Sequence, residues 1–89
     1  MTYSLEETVG FCKSFDKLPY EIQKRFEKQF RRIIDNPYGY GRPLGSKYFR
    51  ELKQGSFQVY YCIYNTGEVI LLAGVSDKDS QQKIIDIIK

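Results

Sequence analysis

The sequence predicts one small α+β domain. Two N-terminal helices should pack on a small antiparallel sheet, built from a meander of three strands plus a short N-terminal strand, and a C-terminal helix should close the chain. Three observations carry this. Apolar residues recur at helical spacing from Ile22 to Ile34, and three strand-like runs follow between Tyr48 and Val75 with turn signals between them. At 89 residues the chain also has room for one core only, so residues 1–89 read as a single domain.

The elements follow in order. Tyr3–Leu5 reads as a short strand. Leu5, Thr8, Cys12 and Phe15 then give a partial helical stripe ending at Asp16. Leu18-Pro19 starts a second helix, since proline suits a first turn where its missing N–H costs nothing. Ile22, Phe26, Phe30, Ile33 and Ile34 form its apolar stripe. Lys24, Arg25, Lys28, Arg31 and Arg32 form the opposite face, relieved by Glu27. Asn36-Pro37 ends the helix, because a residue before proline avoids the α region. Tyr38 to Lys47 reads as a loop rich in glycine and tyrosine.

Tyr48–Lys53 is the next strand, closed by a turn at Gln54-Gly55. Ser56–Tyr64 is rich in β-branched and aromatic residues, and Asn65-Thr66-Gly67 is a hairpin signal. Val69–Val75 is nearly all apolar, as in a central strand covered on both faces. Gly74 within it suggests a bulge. Ser76 to Asp79 fits a capping box ahead of a last helix, Asp79 to Lys89, whose apolar face is Ile84, Ile85 and Ile88.

Composition narrows the chemistry. The net charge is +3, which permits nucleic acid or an acidic protein as partner without demanding either. There is no histidine, so Ser-His-Asp and Cys-His mechanisms are excluded. Cys12 and Cys62 read as two buried reduced thiols. With no histidine beside them they cannot fill a tetrahedral metal shell, so neither metal nor cofactor is expected. Met1 to Gly10 lacks the long apolar run of a signal peptide or a membrane span, so a cytoplasmic location is expected.

Taken together, several signatures resemble the RelE/ParE toxin superfamily. They are Phe15-Asp16-Lys17-Leu18-Pro19 before an amphipathic helix, then Asn36-Pro37 and Pro43-Leu44-Gly45. Phe49-Arg50-Glu51-Leu52-Lys53, Gly55-Ser56-Phe57-Gln58-Val59-Tyr60-Tyr61 and Leu72-Ala73-Gly74-Val75-Ser76 complete the set. The resemblance covers nearly the whole chain and rests on order and spacing. It implies a toxin held silent by a cognate antitoxin. The expected activity is that of RelE-like members, which cleave mRNA on the ribosome; the alternatives are a ParE-like inhibitor of DNA gyrase or a degenerate member that only binds antitoxin or RNA. A homodimer is compatible with all three. The sequence departs from the family pattern where a middle-strand arginine is usual, here Gln58. Another arginine or histidine is often found after the last-strand glycine, where this chain has Val75 and Ser76. The final helix lacks a tyrosine.

Metal-free RNA cleavage needs a base at the 2′-OH, a proton for the leaving 5′-oxygen and cations for the phosphorane. Side-chain alternation sorts Phe57, Val59, Tyr61 and Ile63 inward, and Gln58, Tyr60, Cys62 and Tyr64 outward. With Leu52 inward, Lys53 shares the outward surface with Gln58 and Tyr60, with Arg50 and Lys78 at its edges. Lys53, Arg50, Tyr60 and Lys78 are therefore the catalytic candidates. Gln58, Lys47, Tyr48, Lys24, Lys28, Arg31 and Arg32 are the candidates for RNA contact. Plainer readings stand beside these: a solubilising strand lysine, a half-buried sheet tyrosine, and an Arg50 paired with Glu51 or Glu68.

Overall fold

The structure, a computed structural model, describes residues 2–77. The expected final helix, with Ile84, Ile85 and Ile88, lies outside the described residues, and so does Lys78. The elements are β1 (Ser4–Glu7), α1 (Val9–Asp16), α2 (Tyr20–Ile33), β2 (Arg42–Ser46), β3 (Phe49–Gln54), β4 (Phe57–Tyr64) and β5 (Val69–Asp77). The strands form one five-stranded sheet in the order β1-β5-β4-β3-β2.

The sheet is mixed, which corrects the all-antiparallel expectation. β1 runs parallel to β5, and the remaining neighbours are antiparallel. A second correction is β2, expected as loop. Pro43 and Gly45 make Arg42–Ser46 a poor strand by propensity. As an edge strand it owes hydrogen bonds on one side only, which tolerates proline, and its pairing with β3 is irregular between Pro43 and Ser46.

Both helices pack on one face of the sheet. Thr8 caps α1: its Oγ1 accepts from the Phe11 N–H at 3.0 Å and its hydroxyl donates to the Ala73 carbonyl at 3.2 Å. That ties the helix start to β5. Pro19 precedes the first turn of α2. Glu21 then sits at its positive end, with Arg31 and Arg32 at its negative end. The predicted stripe of α2 faces the sheet: Phe26, Phe30 and Ile33 are buried, Ile22 and Ile34 half-buried. Phe11, Phe15, Phe26 and Phe30 form a ring cluster, with centroids 5.2 Å apart for Phe11–Phe15 and 6.4 Å for Phe15–Phe26. Leu52, Val59, Tyr61, Ile63, Ile70 and Leu72 complete the core from the sheet.

Gly74 marks a bulge, as expected. Tyr60 pairs with Gly74 but Tyr61 pairs with Leu72, so Ala73 is the extra residue. The bulge shifts side-chain parity. Leu72 opposes Tyr61 and Val75 opposes Val59, so both can face the helices although they are three positions apart. The β3–β4 hairpin closes on the Gln54–Phe57 pair, with Gly55 at φ +60 in the turn.

Ser76, expected as a helix cap, is instead a residue of β5 paired with Gln58. Cys12 and Cys62 are both free thiols, and each is half-buried where full burial was expected. Among the described residues no helix is long and apolar enough to cross a membrane.

Candidate functional site

The pairing of β3 with β4 decides which candidates share a face. Residues directly opposite in an antiparallel pair point to the same side. Lys53 opposes Gln58, Glu51 opposes Tyr60 and Phe49 opposes Cys62, whereas Leu52 opposes Val59 in the core. Lys53, Gln58 and Tyr60 therefore lie together on the face away from the helices, as alternation predicts. Ser76 joins them through its pairing with Gln58.

That face is not open. Tyr60 is fully buried, Gln58 and Glu51 are each 2 % exposed, and Ser76 is 5 % exposed. The expectation of an outward, accessible Tyr60 and Gln58 is corrected on this point. Their polar atoms are used internally. Tyr60 Oη lies 2.8 Å from Ser76 Oγ, and the Ser76 hydroxyl donates to Gln58 Oε1 at 3.3 Å. Either hydroxyl can be the donor between Tyr60 and Ser76. Phe49 stacks on Tyr60 at 6.0 Å between centroids. The buried Glu51 carboxylate meets the exposed Arg42 guanidinium at 3.1 Å. Lys53 remains exposed on this face.

Arg50 points the other way. It opposes Tyr61, on the helix side of the sheet, and it is 8 % exposed. Its Nε donates to the Tyr40 carbonyl at 3.2 Å and its Nη1 to that of Lys47 at 3.2 Å. Its Nη2 donates to Tyr38 and Gly41 at 3.2 and 3.3 Å. The guanidinium is thus a staple for the 37–47 segment. It pairs with neither Glu51 nor Glu68, and its donors are turned away from the Lys53 face. Tyr61 helps it: its hydroxyl shares one proton between the Pro37 carbonyl at 3.0 Å and that of Tyr40 at 2.8 Å. Burial pushes the Tyr61 phenol above its ordinary pKa, and Arg50 partly offsets this.

The cations of α2 lie on the far side of the molecule from Lys53. Lys24, Arg25, Lys28, Arg31 and Arg32 are exposed, facing away from the sheet on which their helix packs. Lys24 lies 4.0 Å from Glu27 and its ammonium sits over the Tyr20 ring, while Arg32 sits over Tyr40. The proposed contacts therefore divide between two opposite surfaces. Lys47 and Tyr48 lie in the turn between β2 and β3, with the Lys47 ammonium 5.1 Å from the Tyr48 ring centre.

Two features escaped the sequence reading. One is Arg42, hidden in a segment expected as loop. The other is the surroundings of Asn65, whose Oδ1 accepts from the Tyr3 hydroxyl at 2.8 Å and the Tyr38 hydroxyl at 2.9 Å. Only the three-dimensional approach of β1, the 37–47 segment and the β4–β5 turn reveals that convergence. Among the described residues no cluster of three histidine, cysteine, aspartate or glutamate side chains is placed to hold a metal ion.

Comparison with known proteins agrees with the geometry at the level of fold. No protein-family model and no curated protein matches the sequence. Solved structures do. A double arginine-to-alanine mutant of the E. coli toxin RelE in the free state superposes with a TM-score of 0.84 at 15% identity, covering 99% of this chain and 96% of that one. The RelBE2 toxin–antitoxin complex from Mycobacterium tuberculosis matches at TM-score 0.74 and 19% identity, over 86% of this chain and 99% of its counterpart. The archaeal RelE–RelB complex from Pyrococcus horikoshii matches at 0.71 and 18%, over 88% and 97%. This chain has a RelE-like toxin fold.

Proposed function

We propose that this chain is the toxin half of a toxin–antitoxin pair, silenced by a cognate antitoxin, and that it stalls translation by binding RNA on the ribosome without cutting it. Similarity in fold to RelE over nearly the whole chain supports the pairing, since several of those relatives were solved with RelB-type antitoxins. One observation carries the choice of binding over cleavage: the sheet face opposite the helices holds a buried, internally bonded polar cluster of Tyr60, Ser76 and Gln58. Transesterification needs a base, a proton donor and cations that all touch the RNA. Among the described catalytic candidates Arg50 is a staple and Tyr60 is buried, which leaves Lys53 exposed. Sequence-independent affinity is instead available from Arg25, Lys28 and Arg31 on α2, which make no ion pair among the described residues.

The second reading is the ribosome-dependent mRNA endonuclease, favoured by the exposed Lys53 opposite Gln58. A cell-free translation assay that also follows mRNA integrity separates the two. Arrested synthesis with intact mRNA is the expected result. Cleaved mRNA would replace this reading with the endonuclease. Unimpaired synthesis at excess protein would reject both, and a gyrase supercoiling assay would then test the ParE-like alternative.

A further inference from the structure

The corner where β4 enters its turn carries two exposed tyrosines and an amide held in one orientation. Tyr48 is 43 % exposed and Tyr64 is 51 % exposed. Both line one open cavity of about 440 Å³, together with Ile63, Asn65 and Thr66. Tyr48 is fixed from behind. Its carbonyl accepts from the Ile63 N–H at 2.8 Å, and its ring meets Tyr38 edge to face at 6.2 Å. Tyr64, the last residue of β4, has no ring contact among the described residues, so its aromatic face is available.

Asn65 gives this cavity direction. Two phenols donate to its Oδ1, from Tyr3 at 2.8 Å and from Tyr38 at 2.9 Å. A carbonyl oxygen has two lone pairs, so its accepting capacity is filled. What the amide can offer a ligand is the pair of N–H donors on Nδ2. Lys47, with its ammonium 5.1 Å from the Tyr48 ring, adds a positive charge beside that ring.

A flat face to stack on, paired donors and a cation at one end match one chemical class. We propose that this corner binds an unpaired nucleobase of single-stranded RNA. The base stacks on Tyr64, an acceptor edge takes the Asn65 Nδ2 donors, and the adjoining phosphate lies against Lys47. The inference rests on the RNA-binding reading above and deepens it, because it adds a base-contacting site distinct from the cationic face of α2.

The test measures binding of a fluorescent eight-nucleotide oligocytidylate to the full-length protein by anisotropy, with a backbone-matched abasic strand alongside. Tyr64→Ala should weaken oligonucleotide binding about 10-fold, and Tyr64→Phe, which keeps the ring, should bind as the wild type does. Asn65→Asp keeps the acceptor for both phenols and removes the donors, so it should also weaken binding. Circular dichroism of each variant establishes that it is folded. Equal binding by folded Tyr64→Ala, equal affinity for the abasic strand, or no wild-type binding would overturn the site. None of these measurements uses ribosomes. Failure here with translation still arrested would remove this corner alone, whereas a Tyr64-dependent oligonucleotide complex that leaves translation running would remove the broader reading alone.

Discussion

Replacing Arg50 by methionine keeps an aliphatic stem and deletes the guanidinium, so it measures what the staple is worth. Four carbonyls, of Tyr38, Tyr40, Gly41 and Lys47, lose a charged donor. A hydrogen bond to a charged group contributes roughly 1.5–3 kcal/mol, but such bonds within one network do not add. The carbonyls of exposed Tyr40, Gly41 and Lys47 can also recover water. The expected net loss is about 3–4 kcal/mol, at the upper end of what single substitutions do. A domain of this size has a total of about 5–13 kcal/mol. Urea unfolding reads the loss as a lowered midpoint at unchanged slope. Arg50→Lys retains charge but offers a point donor in place of a planar fork, and should lose about 2 kcal/mol. Tyr61→Phe deletes the other donor to the Tyr40 carbonyl, so the double variant should depart from additivity by about 0.5 kcal/mol or more. A loss below about 1 kcal/mol for Arg50→Met would refute the staple, and Arg50 would return to the list of ligand-binding candidates.

Three further outcomes follow from local geometry. Gly41→Ala should cost about 2–4 kcal/mol in the same urea assay, because Gly41 has φ +75 and an added Cβ would lie 2.6 Å from Tyr61 Oη and 2.8 Å from the Glu51 carbonyl oxygen. Glu68 adopts φ 52 in the β4–β5 turn, so Glu68→Asn should raise the unfolding midpoint by an amount equal to about 0.5–1 kcal/mol. The raised pKa of buried Tyr61 means that the folded state holds this proton more tightly than the unfolded one. Stability should be level below the ordinary value of 10.0 and fall as pH rises from there through the folded value. Tyr61→Phe should flatten that alkaline slope, and an unchanged slope would assign it to other groups.

Much of the architecture is legible in the sequence because it depends on periodicity. The stripe from Ile22 to Ile34 has only one face to bury, and the alternation in β4 places Tyr60 and Tyr61 on opposite sides correctly. Gly74 marks the bulge, although the extra residue is its neighbour Ala73. β2 was illegible, since Pro43 and Gly45 argue against a strand and only the waiting edge of β3 overrides them. Alternation also assigns a face without saying what lies over it, so the burial of Tyr60, Gln58 and Ser76 could not be read. Arg50 shares parity with Leu52, an inward position that looks wrong for arginine until loop carbonyls are brought to meet it.

The chemistry of the buried face and its departures from the expected pattern are one fact. A guanidinium at position 58, or on β5 beside it, could be sealed only against a carboxylate or several carbonyls, because an unpaired buried charge costs several kcal/mol. Gln58, Ser76 and Tyr60 bond to one another across adjoining strands at 2.8 and 3.3 Å. The neutral residues permit the sealing, and the sealing removes the groups from solvent. The cations of α2, Lys47 and Lys53 in turn stand exposed, whereas Arg50 is buried against four carbonyls. Such an arrangement can hold a polyanion against its surface at several points. Among the described residues Lys53 is exposed opposite Gln58 on that face, and the α2 cations lie across the sheet from it.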